Sequence, residues 1–132
     1  MLANPAVRCL IVDDSADFVD AARRLLEREG IMVVGVASTA AQALRRCEES
    51  RPDVGLVDVE LGGESGFELA EQLQMAAWPA PVILVSTHAA ADFADAIAAS
   101  PAVGFISKSD LTNGAILTLA ASSAGLKYGD HR

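Results

Sequence analysis

A doubly wound α/β domain with a parallel sheet is the fold class that this sequence predicts, on three observations. Short β-rich runs alternate five times with Ala-rich segments of helical length. The runs are continuously apolar rather than alternating, which is the pattern of strands covered on both faces. The joining segments are short, and no internal linker, low-complexity tract or repeat interrupts them. At 132 residues the chain can bury one sizeable core and is too short for two ordinary ones. Its 52% hydrophobic content and 21% charged content fit a folded chain rather than a disordered one.

The elements follow in order. VRCLIV (7–12) reads as the first strand. Ser15 then caps a helix to about Glu29, with Gly30 as its stop and Phe18, Ala22, Leu25 and Leu26 at core-facing spacing. IMVVGVA (31–37) is the second strand, and Ser38 or Thr39 opens a helix to about Ser50, closed by Pro52. VGLV (54–57) makes a third strand ending at Asp58. After the loop VELGGE, a helix runs from about Ser65 to Ala77 on a spine of Phe67, Ala70 and Leu73, broken by the WPAP turn. VILVS (82–86) is the fourth strand, Ala89 to Ala99 the fourth helix, VGFIS (103–107) the fifth strand, and about Asp110 to Ala124 the last helix. Residues 1–6 and 126–132 read as tails.

A formal net charge of −8 with no basic cluster repels nucleic acid backbones and anionic lipid, so direct nucleic acid binding by this chain is not expected. Cys9 and Cys47 form no CxxC and sit in apolar patterns, which reads as two buried, reduced thiols. The N-terminus lacks a signal-peptide pattern and no segment approaches the ~20 apolar residues of a membrane span. A cytoplasmic location is the expectation.

Ligands of such sheets bind beyond the carboxyl ends of the strands, where strand order reverses. The polar residues gather at those ends: Asp13 and Asp14 after the first strand, Asp58 after the third, Ser86 and Thr87 after the fourth, Ser107 and Lys108 after the fifth. Carboxylate oxygens suit a hard divalent ion such as Mg²⁺, which takes one or two protein carboxylates together with phosphate oxygens. A third carboxylate nearby can attack phosphorus to give an acyl phosphate, while an ammonium and a hydroxyl engage the phosphoryl oxygens. Asp58, Lys108 and Ser86 are the candidates for those three roles. Taken singly each residue has a plainer reading, Asp13 or Asp14 as a helix N-terminal acid, Lys108 as a surface cation and Phe105 as core. Their convergence on one rim is what favours a site.

The order LIVDD, then VGLVD followed eight residues later by Gly66, then VILVST, then GFISK resembles the receiver domain of bacterial two-component response regulators over about residues 7 to 125. The resemblance implies a flavodoxin-like (βα)₅ fold with a five-stranded sheet in the order 2-1-3-4-5. It implies that a sensor histidine kinase or phosphotransfer protein donates a phosphoryl group to Asp58, with Mg²⁺ held by Asp13, Asp14, Asp58 and the backbone carbonyl of Glu60. It further implies Ser86 as switch hydroxyl, Phe105 as switch aromatic and Lys108 as phosphate-binding ammonium. The side chains of Glu60 and His88 occupy positions that tune dephosphorylation. The rearrangement would be read out on the face of helix 4, strand 5 and helix 5, where the family often dimerises. Such a domain assists its own phosphorylation and slow dephosphorylation and is not a turnover enzyme.

Two departures from the family pattern are evident. Leu61 is followed by Gly62-Gly63 rather than Pro, and Lys108 is followed by Ser109 rather than Pro, so no cis bond is expected there. Two rival readings are a phosphorylation-independent receiver-like module and a phosphatase of the haloacid-dehalogenase type built on Asp58 and Glu60. The intact set of Asp13, Asp14, Asp58, Ser86 and Lys108 argues against the first, and Asp-x-Glu in place of Asp-x-Asp against the second. With no output module in 126–132, the chain reads as a stand-alone receiver or one cut after its receiver. GFISKSDL looks most like receivers attached to helix-turn-helix outputs.

Overall fold

The computed structural model describes residues 6–112 and 114–119. Five strands, β1 (Arg8–Val12), β2 (Met32–Ala37), β3 (Val54–Asp58), β4 (Val82–Ser86) and β5 (Gly104–Ser107), form one parallel sheet in the order β2-β1-β3-β4-β5. The helices are α1 (Ala16–Arg28), α2 (Ala40–Ser50), α3 (Gly66–Gln74), α4 (Ala94–Ala99) and α5 (114–119). The doubly wound α/β class and the strand order implied by the family resemblance are both borne out.

Alternation along each strand divides the core in two. Leu10, Val12, Val57 and Leu84 face α2 and α3, where Ala43, Cys47, Leu69 and Leu73 meet them. Cys9, Ile11, Leu56 and Ile83 face the opposite way, against Ala22 and Leu26 of α1 and Ile116 of α5. Both thiols are free and buried as expected, and burial pushes Cys9 up to about 12 and Cys47 upward as well. Among the described residues no helix is long and apolar enough to cross a membrane.

Helix starts follow the hydroxyls. Ser15 Oγ accepts from Phe18 N–H, Thr39 Oγ1 from Gln42 N–H, and Ser65 Oγ from the N–H groups of Phe67 and Glu68. Gly66 opens α3 hard against the end of β3, since a Cβ there would overlap the Asp58 carbonyl oxygen and lie 2.9 Å from Val59 Cα. A glycine at that position therefore lets helix and strand meet beside Asp58.

Four segments differ from the sequence expectation. VELGGE is a short hairpin pairing Glu60–Leu61 with Glu64–Ser65, because Gly62 and Gly63 both take positive φ (51° and 98°), as a two-residue turn of type I′ requires. Helix α3 stops at Gln74 rather than Ala77, since Pro79 disfavours helical geometry at Trp78, whose indole N–H instead donates to Pro52 O at 2.8 Å. The fourth helix is split into a 3₁₀ turn, Ala90–Phe93, and α4, with Asp92 Oδ2 accepting from Ala89 N–H at 3.3 Å. In place of a helix from Asp110, a 3₁₀ turn (Lys108–Asp110) precedes extended Leu111, and Thr112 Oγ1 caps α5 through Ala115 N–H. The expected continuation to Ala124 and the C-terminal tail lie outside the described residues. All peptide bonds among the described residues are trans, including Lys108–Ser109.

Candidate functional site

A cleft of about 750 Å³ opens at the carboxyl ends of β1, β3 and β4, bordered by Asp14, Asp58, Glu60, Ser86, Thr87 and Lys108. Among the described residues the buried polar or charged side chains are Asp13, Asp58 and Ser86, and all three sit here. Burying two like charges in one place is unfavourable without a countercharge. Lys108 supplies part of it. Its Nζ lies 2.7 Å from Asp13 Oδ2 and 3.5 Å from Asp58 Oδ2, reached from the end of β5.

Asp13 is fixed by the turn into α1, where its Oδ1 accepts from Ser15 N–H at 2.8 Å. Its Oδ2 is buried and has the Lys108 ammonium beside it as an ion pair, yet no donor is aligned on it as a hydrogen bond. Asp14 points outward and is exposed. The turn of the hairpin closes over it so tightly that a Cβ on Gly62 would stand 2.9 Å from Asp14 Oδ2. Asp13, Asp14 and Asp58 each offer an oxygen within 4.8 Å of the others, a set of hard donors that could hold a metal ion.

Burial pushes the Asp58 carboxyl above its ordinary range. The Glu60 N–H, donating to Asp58 Oδ1 at 3.2 Å, draws it back, the Asp13 charge raises it further, and Lys108 lowers it. Ser86 Oγ accepts from His88 N–H at 3.0 Å, which holds the hydroxyl oxygen at the strand end.

The structure thus brings Asp13, Asp14, Asp58 and Lys108 into one cluster, with Ser86, Thr87 and Glu60 on the same cleft. Glu60 is exposed at its edge. Phe105 and His88 do not border the cleft; each packs on Phe93 instead, with ring centroids at 6.1 and 6.0 Å. Sequence reasoning missed Phe93. Its ring also lies 5.8 Å from that of Phe67, and Phe67 and Phe93 together form the apolar wall of the cleft. Phe67 also packs, partly buried, against the core beside Ala70 and Leu73, and Leu69 adds a fully buried residue to that spine. The signal available was an aromatic residue in an otherwise Ala-rich segment. Glu64 was missed too: its Oε1 accepts from Ala40 N–H at 2.9 Å and ties the hairpin to the start of α2.

A family model described as response regulator receiver domain matches residues 9–118. A Pseudomonas aeruginosa protein assigned to transcriptional regulation is 30% identical over 118 residues, covering 89% of this chain and 57% of that protein. The DNA-binding transcriptional activator EvgA of Escherichia coli K12 is 27% identical over 122 residues, covering 92% of this chain and 60% of EvgA. This chain therefore spans 57–60% of the length of these curated relatives. Among solved structures, the signal receiver domain of a NarL response regulator from Mycobacterium tuberculosis superposes with a TM-score of 0.78 at 31% identity, covering 89% of this chain and 98% of that one. A LuxR-family two-component response regulator from Aurantimonas sp. SI85-9A1 gives 0.75 at 29% identity, covering 90% and 84%.

Proposed function

This chain belongs to the response regulator receiver domain family, and on that premise we propose that residues 7–125 take a phosphoryl group on Asp58 from a histidine kinase or phosphotransfer protein, with Mg²⁺ as cofactor. The observation that carries this reading is the pairing of two buried carboxylates, Asp13 and Asp58, with the Lys108 ammonium, on a cleft that also holds the buried hydroxyl of Ser86. Stability alone does not favour such a cluster.

The donor set fits the ion. Asp13 Oδ2 is a buried carboxylate oxygen with no aligned donor, and Asp13, Asp14 and Asp58 bring only hard oxygens. The Glu60 backbone carbonyl is the further ligand in this reading. When bound, the ion offsets negative charge on the carboxylates and on the phosphoryl oxygens.

A carboxylate oxygen of Asp58 attacks phosphorus of the donor phosphohistidine. The O–P bond forms as the P–N bond breaks, and the electron pair returns to the imidazole nitrogen. Asp58 must be ionised to attack. Lys108, 3.5 Å from Asp58 Oδ2, is placed to neutralise a phosphoryl oxygen. Ser86 Oγ accepts from a backbone N–H in this state, so its own proton is free to be donated to the acyl phosphate. That new contact biases Phe105, Phe93 and α4 toward a second arrangement, a population shift read on the surface of α4, β5 and α5. The same surface is the proposed homodimer face. Glu60, exposed at the edge of the cleft, and His88, whose backbone N–H holds Ser86 Oγ while its ring packs on Phe93 outside the cleft lining, tune the lifetime of the phosphoryl group. The domain acts as a signalling element in the cytoplasm, contacts neither membrane nor nucleic acid itself, and bears on transcription, the process named for its relatives.

Intact mass after incubation with Mg²⁺ and acetyl phosphate tests the reading. One phosphoryl adduct is expected, absent in Asp58→Asn and absent with a chelator. An adduct that persists in Asp58→Asn, or none under conditions that label another receiver, overturns it.

A further inference from the structure

Lys108 is the only lysine or arginine between residues 52 and 119, so no neighbouring cation in that stretch can take its place. Among the described residues, three groups lie against its ammonium. Two are the carboxylates of Asp13 and Asp58, and the third is the face of the Phe18 ring, with Nζ 4.2 Å from the ring centroid. The Lys108 side chain is only 14% exposed, so this cation–π contact works partly out of water, where it is strongest.

Phe18 is held in place by the same turn that fixes Asp13. Its N–H donates to Ser15 Oγ at 3.3 Å, and Ser15 N–H donates to Asp13 Oδ1 at 2.8 Å. The connections therefore close on themselves: Asp13 to Ser15, Ser15 to Phe18, the Phe18 ring to Lys108, and Lys108 back to Asp13 Oδ2. The rest of the half-buried ring packs against the core beneath α1.

The three partners differ in what happens to them during phosphoryl transfer. In the function proposed above, both carboxylates are engaged by the cation or become the acyl phosphate. The ring is engaged by neither. We infer that Phe18 is a positioning residue for Lys108, a neutral π face that keeps the ammonium at the cleft when its carboxylate partners are taken. This inference rests on the phosphoacceptor reading of Asp58. Without the ring, the flexible four-carbon stem carries its strongly hydrated head toward water. Each transfer then has to immobilise that stem again. A leucine at the same position fills the apolar side of the pocket but has no negative face to offer.

The test separates shape from electrostatics. Phe18 is replaced by mono-, di- and trifluorophenylalanine, which keep the ring's outline and drain charge from its face, and separately by Leu. Three quantities are measured on each protein: the ring-current shift of the Lys108 Cε protons without metal, Mg²⁺ affinity by calorimetry, and the rate of phosphoryl uptake from acetyl phosphate at saturating Mg²⁺. The expected result is an upfield shift in the parent that Phe18→Leu abolishes. The uptake rate falls stepwise with fluorination to about a tenth in the trifluoro and Leu proteins, while Mg²⁺ affinity stays within about twofold. A rate indifferent to fluorination, a parallel loss of Mg²⁺ affinity, or no upfield shift in the parent overturns the role of Phe18. A parent protein that takes up no phosphoryl group overturns the phosphoacceptor reading and this role together, whereas a phosphorylated parent with an unchanged fluorinated series overturns only the role of Phe18.

Discussion

Helix α1 follows Asp14 and helix α4 follows Phe93, two residues that line the cleft, and the two helices are built on different terms. Helix α1 has 13 residues, a serine cap, Ala22 and Leu26 fully buried, and two ion pairs along its outer face, Arg24 with Asp20 and Arg23 with Glu27. Helix α4 has six residues, enters through a 3₁₀ turn without a side-chain cap, and buries no residue completely; Phe93 before it and Ile97 within it are half-buried. The side of the cleft that carries Asp13 is thus anchored by core packing, and the side that carries the Phe93 aromatic cluster rests on a few rings. Elements with little buried area rearrange at low free-energy cost. On packing alone α4 is the less firmly held of the two helices.

Truncating one anchor on each side tests the contrast most strongly. Leu26→Ala is expected to destabilise the fold by about 3–5 kcal/mol, and Ile97→Ala by less than about 1.5 kcal/mol, as read from denaturant midpoints. Equal losses would erase the distinction. Alkaline pH probes the α1 side of the sheet in another way. Cys9 there ionises near 9 when unfolded and only at about 12 when folded. The stability present below pH 9 is therefore lost as pH rises through 12, by up to about 4 kcal/mol. Cys9→Ala should flatten that alkaline limb, although it lowers stability at neutral pH; an unchanged limb would show that Cys9 does not set it. A smaller effect, about 1 kcal/mol, is expected for Ser15→Ala. It should loosen the first turn of α1, seen as faster amide exchange at Phe18, with α4 exchange unaltered. The finest test concerns charge within the cleft. Because the Asp58 pKa is raised chiefly by burial, the stability tied to its protonated form holds below the unfolded value of 3.8 and is lost as pH rises through the folded value. Asp58→Asn should then raise the melting temperature of the metal-free protein at neutral pH, and the gain should shrink once Mg²⁺ is added to the parent.

Strand ends and buried carboxylates were legible in the sequence because both follow from residue type along a period. An apolar run that stops at Asp13-Asp14 or Asp58 has one sensible place to stop in a doubly wound sheet. Side-chain meetings across the fold were not legible in this way. Nothing local in VRCLIVDDSADF states that Phe18 will present its face to Lys108, since that depends on how α1 lies against the end of β5. The hairpin at Gly62-Gly63 was legible in principle, because paired glycines between short polar flanks are a turn signal; reading it as a loop overlooked that signal. The split of the fourth helix was hidden by helix propensity, since an Ala-rich stretch scores as continuous helix wherever the tertiary structure needs a turn.

Trp78 gives the molecule one further property. It is the single tryptophan, and its indole is tied to Pro52 O and covered by the Arg51 guanidinium, 5.5 Å from the ring centroid. Pro52 precedes β3 while Asp58 ends it, so the fluorophore stands roughly 15–20 Å from the carboxylates at a strand's rise per residue. Its emission should be almost blind to events in the cleft and respond sharply to melting of the fold. Light from one residue then reports whether the protein is folded, independently of whether its signalling site is engaged.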